Sequence, residues 1–113
     1  MSDFQMEWLS SDRKGTRVLK ITGPFTLGAV FDFQNLVRAD IAPLTIVDLS
    51  EVPYMDSAAL GSVLGLHVSC HKEGRCYALV GVSDRLRSLF RMSGVDGLLV
   101  IRPSLEAAAS AAN

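Results

Sequence analysis

Short runs of alternating or continuous apolar residues are separated, along this chain, by longer stretches in which apolar residues recur every three or four positions. Residues 4–9 alternate loosely and residues 18–21 are mostly apolar, so we predict two strands joined by the polar turn at 10–15. The runs 44–49 and 77–80 are nearly continuous and apolar. Such runs are typical of central strands that are covered on both faces.

The longer stretches have the periodicity of amphipathic helices. We predict helices over 27–38 and 57–72, and a third that starts at Ser83 and Asp84 and ends at Ser93 and Gly94. Residues 98–101 predict a last strand, and Pro103, as a first helical residue, opens an alanine-rich helix at the end of the chain.

This order of elements predicts an α/β fold. An opening hairpin followed by alternating helices and strands gives a mixed β-sheet of about five strands with about four helices packed on it. Gly74 follows the second long helix, where we expect a left-handed residue to end it. We expect residues 1–113 to form a single domain, because this length suits one hydrophobic core.

The composition of the chain indicates which partners and which cellular compartment to expect. The chain is 49% hydrophobic and 20% charged, and its formal net charge of -1 favours neither nucleic acid nor an anionic membrane. Residues 1–14 lack the apolar segment of a secretory signal, and two cysteines are too few for a disulfide framework. We therefore expect a cytoplasmic protein with reduced thiols that enters no membrane.

The most informative stretch is 46–61. A buried strand ends at Leu49, an irregular loop follows, and a helix begins near Ser57. Asp56 and Ser57 therefore lie at or beside a helix N-terminus, where either side chain is a favoured cap for the unpaired first amides. Capping is the simplest interpretation of both residues.

The same stretch resembles the STAS domain family. The resemblance is carried by VDLS at 47–50, MDS at 55–57 and LG at 60–61. A second block agrees, with LVGVS at 79–83 and LFRMSGV at 89–95. The family includes bacterial anti-sigma factor antagonists and the cytoplasmic domains of sulphate transporters, and the opening hairpin also suits it.

The resemblance implies a regulatory binding module rather than an enzyme. In antagonists of this kind, the serine that follows the aspartate is phosphorylated by the partner anti-sigma factor, a serine kinase, and the matching residue here is Ser57. The unphosphorylated form binds the kinase, phosphorylation breaks the complex, and a serine phosphatase is the implied second partner. The expected contact residues are Glu51, Tyr54, Met55, Asp56, Ser57, Ala58 and Gly61.

Two features leave alternatives open. Many of these antagonists have a small hydroxyl residue and then glycine after the serine, whereas this chain has Ala58 and Ala59, which stiffen the first helical turn. The alternative function is therefore a STAS subunit of a transport ATPase or signalling scaffold that never receives phosphate. Tyr54 and Met55 are expected to be exposed anchors for a partner, although Met55 suits packing of the loop equally well.

Other chemistry is less favoured by the sequence. His67, Cys70, His71 and Cys76 contain soft metal ligands, but their spacing matches no structural zinc pattern, and the apolar stripe of the helix runs through His67 and Cys70. We therefore expect no metal.

Catalysis and cofactor binding lack their usual sequence features. Asp48, Glu51 and Asp56 have no histidine beside them, and we expect Asp48 and Asp56 to accept backbone hydrogen bonds instead. The glycines do not have the spacing of a phosphate-binding loop, so no cofactor is expected. Arg85, Arg87 and Arg91 form a basic strip that suits solvent or an acidic partner.

Overall fold

A computed structural model describes residues 4–39 and 42–110, which form four strands and four α-helices. The strands are β1 (Gln5–Leu9), β2 (Thr16–Thr22), β3 (Leu44–Glu51) and β4 (Cys76–Val80). The helices are α1 (Val30–Ala39), α2 (Ser57–Glu73), α3 (Asp84–Met92) and α4 (Leu105–Ser110), and a short 3-10 helix (Leu27–Ala29) leads into α1. The predicted α/β class is confirmed.

The strands form one mixed sheet in the order β1-β2-β3-β4. β1 is antiparallel to β2, whereas β2, β3 and β4 are parallel to one another. The first six residues of β3 are all buried, as expected for a central strand. Because the three parallel strands run the same way, the loops that follow them emerge at one edge of the sheet, which we call the carboxyl edge.

Helices cover both faces of the sheet. The larger core packs α1, α2 and α3 on one face through side chains such as Phe33, Val63 and Phe90, none of which is exposed to solvent. On the other face, α4 places Ala108 against Ile46 and Val80. None of the helices in the described ranges is long and apolar enough to cross a membrane.

Two predictions near the end of the chain are wrong. Residues 98–101 do not form a strand: Leu98 lies in a turn, and only Ile101 pairs with Leu79 through an isolated bridge. The amides of Leu98 and Leu99 both donate to the Val95 carbonyl and form a turn, so the chain meets β4 only at Leu79, whose amide donates to the Val100 carbonyl and whose carbonyl accepts from the Arg102 amide. The described residues therefore form four strands rather than five.

The start of the last helix also differs from the prediction. Helix α4 begins at Leu105, because the Ser104 hydroxyl accepts a hydrogen bond from the Ala107 amide at 3.1 Å and so caps the helix. Pro103 precedes this cap instead of being the first helical residue. The predicted role of Gly74 is confirmed, since its φ is 68° and its amide donates to the Cys70 carbonyl.

Candidate functional site

The predicted site lies at the carboxyl edge, where the segments that follow β2 and β3 are joined by backbone hydrogen bonds. The Gly23 amide donates to the Glu51 carbonyl at 2.9 Å. The Phe25 amide donates to the Tyr54 carbonyl at 3.1 Å, and the Phe25 carbonyl accepts from the Asp56 amide at 3.2 Å. These hydrogen bonds fix the loop before α2 against the segment that follows β2.

The carboxylate of Asp56 joins two helix N-termini. Its Oδ1 accepts a hydrogen bond from the Ala59 amide at 2.9 Å, which caps α2. Its Oδ2 accepts from the Leu27 amide, also at 2.9 Å, at the start of the 3-10 helix. The prediction that Asp56 accepts backbone hydrogen bonds is confirmed. The same prediction is confirmed for Asp48, whose Oδ1 accepts from the Ser50 amide.

Ser57 is the first residue of α2 and is exposed to solvent. Because Asp56 is the cap, the interpretation of Ser57 as a cap is wrong. Within the described part of the chain, the Ser57 hydroxyl makes no hydrogen bond. A hydroxyl at this position is available to another molecule and plays no part in holding the fold together.

The other predicted contact residues differ in exposure. Glu51 and Gly61 are exposed, and 42% of the Tyr54 side chain is exposed. Ala58 is half-buried. The expectation that Met55 is exposed is wrong, because only 6% of its surface is accessible and it pairs with Phe25 across a parallel bridge.

The two alanines after Ser57 play different parts. Ala59 is fully buried in the core, and its amide is the one that Asp56 caps, whereas Ala58 is half-buried. Burial of Ala59 and its hydrogen bond to Asp56 therefore hold the first turn of α2 in place, whereas Ser57 is exposed to solvent.

The structure adds residues to this edge that the sequence analysis did not place there. The guanidinium carbon of Arg85, in the first turn of α3, lies 5.6 Å from the centre of the Tyr54 ring. Leu27 is 68% exposed, and its amide binds Asp56. The sequence pattern predicts neither the contact between Arg85 and Tyr54 nor the bond between Leu27 and Asp56, because the residues of each pair are far apart in the chain. For Leu27 and Asp56 the separation is 29 residues.

Gly81 allows the loop after β4 to approach this edge closely. Its φ is +69°, and a Cβ atom built on it would lie 2.6 Å from the Ser50 amide nitrogen. The absence of a side chain therefore lets the chain turn beside the end of β3. The sequence offered a signal here, since a glycine directly after a buried strand marks a tight turn or a close approach.

Of the histidines and cysteines in α2 and β4, His67 lies within hydrogen-bond distance of Tyr77 and Cys70 is buried. The Tyr77 hydroxyl accepts a hydrogen bond from the Val100 amide at 3.0 Å and lies 2.8 Å from His67 Nδ1. Burial raises the pKa of the Tyr77 hydroxyl and that of the Cys70 thiol above their ordinary values. Among residues 4–39 and 42–110, no three His, Cys, Asp or Glu side chains are grouped to hold a metal ion.

The double role of Asp56 leads to a prediction. We expect Asp56→Ala to lower the free energy of unfolding by about 2 kcal/mol, because it removes both hydrogen bonds, and Asp56→Asn by about 1 kcal/mol, because its amide NH₂ cannot accept from Leu27. Urea unfolding at neutral pH measures both changes. Glu51→Gln is the control, since Glu51 is an exposed carboxylate of the same loop. Equal losses for Asp56→Asn and Glu51→Gln would contradict the double role.

A sequence model of the STAS domain matches residues 9–108. Proteins named anti-sigma-B factor antagonist are similar to this chain. The one from Listeria monocytogenes is 39% identical over 56 residues, which cover 50% of this chain and about half, 49%, of that protein. The one from Staphylococcus aureus is 33% identical over 91 residues, which cover 78% of this chain and 84% of that protein.

Solved structures of an anti-sigma factor antagonist, SpoIIAA, have the same fold. The unphosphorylated form is 22% identical, with a TM-score of 0.74 over 95% of this chain and 94% of that chain. The phosphorylated form, from Bacillus, is 21% identical, with a TM-score of 0.66 over 95% of this chain and 97% of that chain.

Proposed function

This chain belongs to the STAS domain family, and we propose that it is an anti-sigma factor antagonist that binds an anti-sigma factor serine kinase and is switched off by phosphorylation of Ser57. The observation that carries the proposal is the exposed Ser57 hydroxyl, which makes no hydrogen bond within the described residues. Asp56 caps the helix, so Ser57 can be modified without loss of the cap.

The position of Ser57 suits a phosphate. A phosphoserine carries a charge of about -1.5 to -2 at pH 7. The amides at the start of α2 point outward, and the helix dipole favours an anion there, so the fold tolerates the added charge. The Ala59 amide is already occupied by Asp56, which leaves the amides before it to face the phosphate.

The same charge acts against a bound partner. The Asp56 carboxylate directly precedes Ser57, so phosphorylation concentrates negative charge at one point of the carboxyl edge. A partner surface that fits a neutral hydroxyl would have to desolvate this charge without a matching cation. Phosphorylation therefore disrupts binding far more than folding.

Named relatives support the proposal. The Listeria and Staphylococcus proteins described above are named as antagonists of anti-sigma factors, and SpoIIAA has been solved with and without phosphate. In this proposal the contact surface is formed by the exposed part of the loop from Glu51 to Ser57, with Ala58 and Gly61 on the first turns of α2. A serine phosphatase restores the binding form, the protein itself catalyses no reaction, and it works in the cytoplasm.

The experiment is a phosphorylation assay with purified serine-kinase anti-sigma factors from the source genome. The wild-type chain, Ser57→Ala and Ser83→Ala are each incubated with kinase and ATP, and intact mass and peptide mapping locate any phosphate. Ser83 is a matched control because it is also an exposed serine at a helix N-terminus, but its hydroxyl caps α3. We expect a phosphate-sized mass gain in the wild type and in Ser83→Ala, and none in Ser57→Ala.

Two results would contradict the proposal. Phosphate on Ser57→Ala would place the modified residue elsewhere. A kinase that binds the wild type stably but adds no phosphate would favour the alternative of a STAS subunit of a transport ATPase or signalling scaffold, with Ala58 and Ala59 as the first residues to examine.

A further inference from the structure

Helix α3 carries an exposed stripe that leads away from the carboxyl edge. Arg85, Ser88 and Met92 are spaced three and four residues apart, so they follow one line along the helix for about 10 Å. All three are exposed, whereas Leu86 and Phe90 anchor the other side of the helix in the core. The exposed fraction of Met92 is 88%, higher than that of any other large hydrophobic side chain in the described ranges.

The stripe is connected to the loop that precedes Ser57. The Arg85 guanidinium lies over the Tyr54 ring at 5.6 Å, within the range of a cation–π interaction. Arg85 forms no ion pair with any residue of the described ranges, 4–39 and 42–110, so its charge is available to another molecule. Tyr54, Arg85 and Met92 therefore form a surface in which Arg85 lies over Tyr54 and Met92 lies about two turns farther along α3.

The chemistry of this surface is that of a protein interface. Tyrosine, arginine and methionine are enriched in the centres of interfaces, and arginine and tyrosine often carry much of the binding energy. Methionine is unbranched and adapts to an apolar pocket on a partner. The positive charge of Arg85 selects a carboxylate, with which a guanidinium forms paired hydrogen bonds.

We propose that Tyr54, Arg85 and Met92 form a second contact area for the anti-sigma factor, which meets it with an acidic side chain opposite Arg85 and an apolar pocket for Met92. The proposal rests on the function proposed above and extends the partner's footprint from the loop and α2 to α3. The contact between Arg85 and Tyr54 supports this occupant, because a partner on the loop also reaches the start of α3. The three exposed arginines of α3, against one exposed aspartate, Asp84, favour an acidic surface on that partner. A charge at the edge of an interface acts mainly on the association rate, whereas a buried apolar anchor acts on dissociation.

The test measures the rates at which the unphosphorylated chain associates with, and dissociates from, the kinase that phosphorylates it. The rates are measured at low and at moderate salt concentration. We expect Arg85→Ala to slow association about 5-fold at low salt and to flatten the salt dependence. We expect Met92→Ser to speed dissociation about 10-fold. Arg87→Ala is the matched control, because Arg87 has the same charge and helix but lies on the opposite flank of α3, and we expect its rates to stay within about 2-fold of wild type.

The outcomes separate this proposal from the one on which it rests. Wild-type rates for both Arg85→Ala and Met92→Ser, with phosphorylation of Ser57 intact, would overturn the second contact area alone. Equal slowing of association by Arg85→Ala and Arg87→Ala would also overturn the second contact area, because it would show only nonspecific electrostatic attraction to the partner. If no serine-kinase anti-sigma factor binds the wild type, the proposed function fails and this inference fails with it. Since Arg85, Arg87 and Met92 are exposed, we expect the three variants to have the same urea midpoint of unfolding as the wild type.

Discussion

Phosphorylated at Ser57, this protein is expected to bind its anti-sigma factor at least about 100-fold more weakly than the unmodified chain, which corresponds to about 2.7 kcal/mol of binding free energy. The loss arises because the phosphate and Asp56 place adjacent negative charges in a surface that the partner must desolvate. The free energy of unfolding is expected to change by less than about 0.5 kcal/mol, because the start of α2 favours an anion.

Calorimetric titration of the two purified forms measures the binding difference, and urea unfolding measures the stability. Ser10→Asp provides the control for added charge, since Ser10 is exposed in the turn between β1 and β2, at the opposite end of β2 from the carboxyl edge. We expect Ser10→Asp to bind like the wild type. A phosphorylated form that binds within about 3-fold of the unmodified chain would refute the switch, as would an equal loss for Ser10→Asp.

Gly81→Ala is expected to lower the free energy of unfolding by about 3 kcal/mol. The added methyl group would lie 2.6 Å from the Ser50 amide nitrogen and 2.7 Å from the Ser50 Cα atom, so the backbone of β3 or the turn after β4 must shift. The φ of +69° adds a further cost for any residue with a side chain.

Gly74→Ala separates these two causes. Gly74 has almost the same φ, +68°, but a Cβ atom there would meet nothing within 4 Å. We expect Gly74→Ala to cost about 1 kcal/mol in urea unfolding, so the difference between the two variants measures the close approach to Ser50. Equal losses would mean that backbone conformation alone accounts for Gly81.

The sequence predicted those parts of the fold that depend on residues near one another in the chain. The hairpin, the buried strands β3 and β4 and the helices α1 to α3 follow from local periodicity, and Gly74 and Ser93 lie where their helices end. The segment 98–101 was predicted as a strand because it is apolar, but the amides of Leu98 and Leu99 bind the Val95 carbonyl in a turn, and only Ile101 pairs with β4. Apolar content alone does not distinguish a strand from a turn that contains apolar residues.

The candidate site was predicted in part for the same reason. Asp56 and Ser57 could be placed at a helix N-terminus because a cap and its helix are adjacent in sequence. The bond from Asp56 to Leu27 and the contact between Arg85 and Tyr54 could not, since each joins segments about 30 residues apart. Met55 was expected to be an exposed anchor because methionine is enriched at interfaces, with packing of the loop as the alternative. The structure shows the alternative, since Met55 pairs with Phe25 and is buried in the core.

The arrangement at the start of α2 has a consequence for how the sequence can drift during evolution. Asp56 holds two backbone amides from distant segments, so most replacements there are expected to be removed by selection for a folded protein. The Ser57 hydroxyl makes no hydrogen bond within the described ranges, so under the proposed function its use by the kinase is what preserves it. In a set of descendants of this chain, variation at position 56 would record selection on the fold, and variation at position 57 would, under the proposed function, record the gain or loss of regulation.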